Sequence, residues 1–155
     1  MSRSLDDLHP ELKWRAELLL TACQNISAPI LIYFTLRTFE EQQALYEQGR
    51  KSPGKVVTNA QAGQSYHNYG LALDFAPTAP NGAIKWDDLE GFQTVGELAE
   101  GFGFQWGGRW PQKDRPHLQM SFGFKWEDLM AFYQSGGLPG AWKKVSAVAA
   151  RRGWP

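Results

Sequence analysis

The sequence predicts an α+β fold, with helices packed on a small, mostly antiparallel sheet in one domain over residues 1–155. Three observations carry that prediction. Segments with helical apolar spacing alternate with short runs of period two. Two of those runs, at 71–76 and 117–122, each have one apolar and one polar face, as strands of a half-covered sheet do. The chain has 155 residues, 43% hydrophobic and 21% charged, which is enough for one buried core and ordinary for a globular protein.

The elements follow in chain order. Residues 4–24 read as helical with an interruption at His9-Pro10; Leu12, Ala16, Leu19, Leu20 and Cys23 share one face. His9 is read as a structural residue of the helix-start turn. Cys23, the single cysteine, is read as a buried thiol rather than a nucleophile. Residues 29–36, rich in Ile, Leu, Tyr, Phe and Thr, read as a buried strand. Thr38 with Glu41 forms a capping box for a helix that Gly49 ends. Residues 50–64 read as a loop with a short strand near 55–58. Pro77, Pro80 and Asn81-Gly82 mark a further loop, and Leu89, Phe92, Val95, Ala99 and Phe102 give the next helix its core stripe. A helix near 125–134, a linker at 136–140 and a final helix at 141–152 complete the chain. Trp142 and Val145 lie on one face of that last helix, with Lys143, Lys144, Arg151 and Arg152 outside it. The helix reads as packed on the back of the domain, or as a basic handle for an anionic wall or membrane surface.

Composition excludes several classes of function. A formal net charge of zero provides no field for nucleic acid. No run approaches the ~20 apolar residues of a membrane span, so no stable membrane insertion is expected. Residues 1–10 carry Asp6, Asp7 and His9 without an apolar core, so no signal peptide is expected and synthesis is placed in the cytoplasm. The chain is read as a monomer.

The chemistry concentrates in Ser65-Tyr66-His67-Asn68-Tyr69-Gly70-Leu71-Ala72-Leu73-Asp74. His67 and Asp74 are too far apart on a regular helix or strand to share an ion, because zinc ligands sit about 2.0–2.2 Å from the metal. The chain must fold back between them, which Asn68 and Gly70 allow. Asp74 then lies on a strand face between the small residues Ala72 and Ala76. As a bland alternative, it caps a turn or pairs with a base. His117 shares a strand face with Gln119 and Ser121, and two such strands side by side bring it to Asp74. His67, Asp74 and His117 would be three metal ligands that leave a fourth position for water, with Asp114 as the base. Arg37, at a strand-to-helix junction, is either a surface salt bridge or a group that holds a carboxylate or oxyanion. Ser65 has no base partner and is read as orienting the site or touching substrate. Trp106 and Trp110 flank Gly107-Gly108, a turn that would let backbone approach a ligand; the two rings read as groove walls or as plain packing.

The string Ser-x-His-x-x-Gly-x-Ala-x-Asp at 65–74, with Asp-x-Pro-His at 114–117, resembles the zinc peptidases that cut peptidoglycan peptides. It is most similar to the L-alanyl-D-glutamate peptidases, many of them phage endolysins. The likeness runs from about Leu8 to Gln119 and includes Arg37-Thr38, Glu41-Gln42, Leu45-Tyr46, Gly49-Arg50, Pro53-Gly54 and Val57-Thr58. It implies a DD-peptidase/hedgehog-like fold, Zn2+ on His67, Asp74 and His117, and Asp114 as catalytic carboxylate. It also implies a role for Arg37 in holding substrate or polarising its carbonyl. The related dipeptidases carry a Glu two residues before the last His; here that position is Arg115, which favours the endopeptidase branch. The implied substrate is the peptidoglycan stem peptide, cut at L-Ala–D-Glu, and the implied route to the wall is holin-dependent release. A D-Ala–D-Ala carboxypeptidase and a non-catalytic zinc-stabilised wall-binding module are the alternatives.

Overall fold

The computed structural model describes residues 1–151. Helix α1 (Pro10–Asn25) begins at His9, whose ring accepts the Glu11 N–H, and Pro10 takes the first position, where its missing N–H costs nothing. Strand β1 (Ile30–Phe34) leads into helix α2 (Phe39–Glu47), which opens with the complete Thr38/Glu41 capping box. A 3₁₀ turn over Tyr66–Tyr69 precedes strand β2 (Ala72–Pro77). Helix α3 (Leu89–Gly101), strand β3 (Gln105–Trp106) and strand β4 (His117–Gln119) follow. Helix α4 (Trp126–Arg151) is two helices: Gly136 and Gly137 depart from helical geometry, and Gly137 has φ +63°. The break thus falls at the first two residues of the expected linker, and the chain is helical again by Pro139, which a first helical turn tolerates. The second part packs inward through Ala141, Val145 and Ala149 and exposes Lys143, Lys144 and Arg151. Arg152 lies outside the described residues.

The sheet has the order β1-β2-β4-β3, with every pair antiparallel. Its two faces differ sharply. Ile32, Leu73, Phe75, Leu118 and Trp106 join the core, which also takes in Leu12, Leu19, Phe92 and Leu129. The opposite face carries Asp74 and His117. The core therefore braces the sheet from behind and leaves the other face to form a cavity. Among the described residues no helix is long and apolar enough to cross a membrane.

Two sequence expectations need correction here. Strand β1 is an edge strand, and Leu31, which points away from the face that buries Ile32, is 44% exposed. Its apolar composition served one face rather than two. The segment at 55–58 forms no strand. Side chains from the α2 region satisfy its carbonyls instead: Gln48 Nε2 donates to Lys55 O at 3.0 Å and Arg50 Nη1 to Thr58 O at 2.9 Å.

Candidate metal centre and active site

The turn that folds the chain back between His67 and Asp74 is the 3₁₀ segment Tyr66–Tyr69, ended by Gly70 in the left-handed conformation (φ 65°). A Cβ at Gly70 would lie 2.8 Å from the Asp7 carbonyl, so glycine is required for space as well as for φ. Asn68 plays a different part from the one expected. It sits inside the 3₁₀ turn, donates to the Arg37 carbonyl at 2.9 Å and accepts the Gly63 N–H at 3.0 Å. It ties three segments together rather than turning the chain. Ser65 caps the turn by accepting the His67 N–H.

Antiparallel pairing then places His117 directly opposite Asp74. His67 Nε2, Asp74 Oδ1 and His117 Nδ1 form a triangle with sides of 3.2, 3.2 and 3.3 Å. A tetrahedral ion with ligands about 2.0–2.1 Å away has ligand–ligand edges of about 3.3 Å. The second ring nitrogens decide the chemistry. His67 Nδ1 donates to the Thr35 carbonyl at 2.7 Å. His117 Nε2 donates to Gln119 Oε1 at 3.0 Å, and Gln119 Nε2 in turn donates to Gln105. Each histidine therefore points a lone pair at the centre, beside a carboxylate oxygen. Three converging lone pairs repel one another unless a cation lies between them, and this donor set fits a metal.

The electrostatics agree. Burial opposes charge on Asp74, but the two histidines outweigh it and hold the carboxyl well below the usual range. Burial lowers the proton affinity of His67. Burial works against His117 as well, yet Asp74 and Gln119 raise it above an ordinary histidine. The centre attracts one positive charge, metal or proton.

Around the trio lies a cavity of about 720 Å³. Arg37, Ser65, Trp110 and Asp114 line it. Arg37 Nη2 is 3.7 Å from Asp74 Oδ2, and Nη1 donates to the buried Gln42 at 2.8 Å, so the guanidinium backs the carboxylate ligand. Gln42 also donates to Ala60 O at 2.7 Å; its positioning role is invisible in a helix pattern. Trp110 leans on His117, with ring centroids 5.2 Å apart. Asp114 is open to solvent at the mouth, while protein crowds its inner side. That partial desolvation raises its carboxyl above the ordinary value, against the pull of His117. Asp114 is held by backbone: its N–H donates to Gly107 O at 3.0 Å, and its carbonyl accepts the His117 N–H at 3.2 Å.

Trp106 is corrected. It is 4% exposed, belongs to the core and donates to the Arg115 carbonyl at 2.8 Å, so it walls no groove. Cβ atoms at Gly96 and Gly108 would each lie 2.2 Å from its indole, so these two glycines make room for a ring. Gly107 similarly makes room for the Asp114 backbone, 2.4 Å from where a Cβ would be.

Sequence reasoning missed Tyr33 and Phe34. The register of β1 against β2 shifts between Ile32 and Phe34, which brings Phe34 opposite Asp74. Successive strand residues ordinarily point to opposite faces, and a bulge re-aims one of them. Here both rings line the cavity, 4.9 Å apart. Burial, with Asp74 and Asp114 nearby, raises the Tyr33 phenol, which stays protonated as a donor.

Known proteins are similar to this chain. A family profile described as D-alanyl-D-alanine carboxypeptidase matches residues 58–120, which hold the ligand trio and Asp114. The peptidoglycan L-alanyl-D-glutamate endopeptidase CwlK of Bacillus subtilis is 46% identical over 123 residues, 74% of this chain and 74% of that protein. The chain belongs to the L-alanyl-D-glutamate peptidase family. Another member, the L-alanyl-D-glutamate peptidase of Listeria phage A118, is 36% identical over 129 residues. That match covers 78% of this chain and 42% of the phage protein. Among solved structures, the Serratia marcescens L-Ala D-Glu endopeptidase ChiX superposes with a TM-score of 0.58 at 26% identity, covering 78% of this chain and 88% of that one. The vancomycin-resistance D,D-pentapeptidase VanY in complex with Zn(II) has a TM-score of 0.56 at 18% identity over 86% and 83% of the two chains. At that identity it speaks for the fold alone. Family membership makes the protein a hydrolase of the peptidase type, with the α+β fold expected from sequence.

Proposed function

We propose that this chain is a zinc endopeptidase that hydrolyses the L-Ala–D-Glu amide of peptidoglycan stem peptides. The observation that carries the reading is the ligand triangle, with both outer ring nitrogens tied off as donors, inside a cavity that also holds a carboxylate. His67, Asp74 and His117 hold the ion, and zinc bound there supplies Lewis acidity toward water and a carbonyl. Asp114 stands at the mouth as the proton carrier. Its carboxylate takes the proton of the attacking water and passes one to the departing D-Glu nitrogen. Its raised proton affinity suits that exchange. Arg37 orients Asp74 through Oδ2 and, from the cavity wall, can offer an N–H to the substrate carbonyl oxygen. Trp110 and Ser65 line the groove that receives the peptide.

The Bacillus relative is a peptidoglycan endopeptidase and the phage relative shares its L-alanyl-D-glutamate specificity, which supports peptidoglycan as substrate and the cell wall as the place of action. Release to the wall through a holin belongs to the same proposal. Mass spectrometry of purified peptidoglycan after digestion, with and without chelator, tests the reading. Chelator-sensitive appearance of peptides that begin at D-Glu, with L-Ala left on the muramyl group, is the expected result. Loss of a terminal D-Ala instead would move the chain to carboxypeptidase chemistry, and no cleavage by fully metallated protein would favour a binding module.

A further inference from the structure

We infer that Trp86 and Tyr33 form an aromatic subsite for the sugar ring that carries the stem peptide, so that the enzyme prefers its bond when the peptide is attached to glycan. This rests on the L-Ala–D-Glu reading above.

The subsite begins at the bulge in β1. It brings Tyr33 and Phe34 to the cavity together, and Trp86 continues the row beyond them. The Trp86 ring meets Tyr33 edge-on, with centroids 5.4 Å apart and planes at 80°. Trp86 is nevertheless 57% exposed. Tyr33 lines the catalytic cavity and Trp86 packs against it, so two aromatic rings stand together beside the site. The backbone that carries the ring is also held in place. Thr78 and Ile84 pair as an antiparallel bridge, Lys85 N–H donates to Pro77 O at 2.9 Å, and Asp88 N–H to Lys85 O at 3.2 Å. The backbone on both sides of Trp86 is thus fixed before any ligand arrives.

The chemistry of the surface selects the ligand. Lys85, the adjacent cation, is bonded to Asp88 at 2.9 Å. The platform therefore presents π faces rather than a charge for the carboxylates of the stem peptide. A pyranose ring has an apolar face of C–H bonds that packs on an aromatic face. A short linker joins the scissile bond to the sugar. On the amino side of the scissile bond stands L-Ala, whose nitrogen is acylated by the lactyl arm of the muramyl sugar. Two residue-like links, about 7 Å, separate the scissile carbonyl from the sugar. Strand β1 lies about 4.8 Å from Asp74 on β2, by ordinary sheet spacing. Trp86 lies a further 5.4 Å beyond the Tyr33 ring. A sugar on a peptide whose L-Ala end points toward β1 comes within reach of this pair.

The test compares kcat/KM on two substrates with the same scissile bond: a disaccharide-linked tetrapeptide and the free tetrapeptide with an N-acetylated L-Ala. Wild-type zinc enzyme is expected to favour the disaccharide-linked substrate by about tenfold, and Trp86→Ala to collapse that ratio at least fivefold, roughly the effect of removing one aromatic stacking partner. Trp86→Phe is expected to keep part of the preference. A thermal melt accompanies each variant, and at an exposed residue little change is expected. Equal cleavage of the two substrates by wild type overturns the inference. So does a Trp86→Ala protein that loses activity on both in proportion. If wild type cleaves neither, the L-Ala–D-Glu reading itself fails and takes this one with it, an outcome distinct from cleavage without preference.

Discussion

The three histidines of this chain are all buried, yet they lie in two regions that use the same side chain in opposite ways. At the start of α1, both ring nitrogens of His9 are satisfied by protein. Nδ1 accepts the Glu11 N–H at 3.2 Å, and Nε2 bonds to Ser146 at 2.9 Å. Phe122 and Trp142 close around the ring, at 5.8 and 5.6 Å. At the cavity, His67 and His117 each spend one nitrogen on a protein acceptor and turn the other toward a carboxylate and a second imidazole. Burial alone does not make a ligand. A histidine becomes one when its outer nitrogen is fixed as a donor and its inner lone pair meets others with no proton between them.

The largest effects should come from breaking the converging side. His67→Ala or His117→Ala is expected to lose bound zinc and to reduce lytic activity by at least ~10³-fold, since both water activation and carbonyl polarisation need the ion. Metal content by plasma mass spectrometry, read beside a turbidity assay on cell walls, checks this. His9→Ala should retain one zinc per chain, and loss of zinc in that variant would break the comparison.

Next in size is Asp114→Asn. Its expected result is zinc retained and kcat lowered about 10²–10⁴-fold, the usual range for a lost acid–base group. A variant that keeps both zinc and full activity would remove Asp114 from the mechanism. Gly107→Ala should follow, at about 10- to 100-fold in kcat/KM with zinc present. Its Cβ would sit 2.4 Å from the Asp114 carbonyl and 3.2 Å from the His117 Cβ, and small misplacements of reacting groups are costly.

The smallest effect is thermodynamic and belongs to His9. His9→Gln is expected to cost about 1–3 kcal/mol, because it disturbs the helix start and breaks a buried hydrogen bond. Its pH dependence has a definite sign. Burial holds the folded pKa of His9 below the ordinary value, against weaker raising pulls from the Trp142 backbone and Glu11. The unfolded chain therefore binds the proton more readily. The stabilisation by neutral His9 is complete above about pH 6.5 and is lost as pH falls from there through the folded value. Chemical denaturation of wild type and His9→Gln should show a stability gap that narrows between pH 7 and pH 5. A gap that widens would mean that His9 is charged in the folded protein.

Local chemistry was readable in the sequence because its causes are local. The Thr38/Glu41 capping box, the Pro10 helix start, the apolar stripe of α3 and the need for a turn at Gly70 each depend on residues within a few positions of one another. The period-two alternation of β2 and β4 likewise separated a metal-competent face from a core face, and that separation put Asp74 and His117 forward as ligands, while His67 stood out by the motif that precedes β2. Tertiary structure decided what depends on partners far along the chain. Strand order made β1 an edge, and one register shift turned Phe34 toward Asp74. Gly96 and Gly108 gave Trp106 a slot in the core, while Trp110 stayed on the cavity wall. Thr35 and Gln119 set which nitrogen of each histidine faces the centre. A residue's alphabet and period determine which way it can point. Only the packed chain determines what it meets there, and in this protein that meeting separates a buried histidine from a metal ligand.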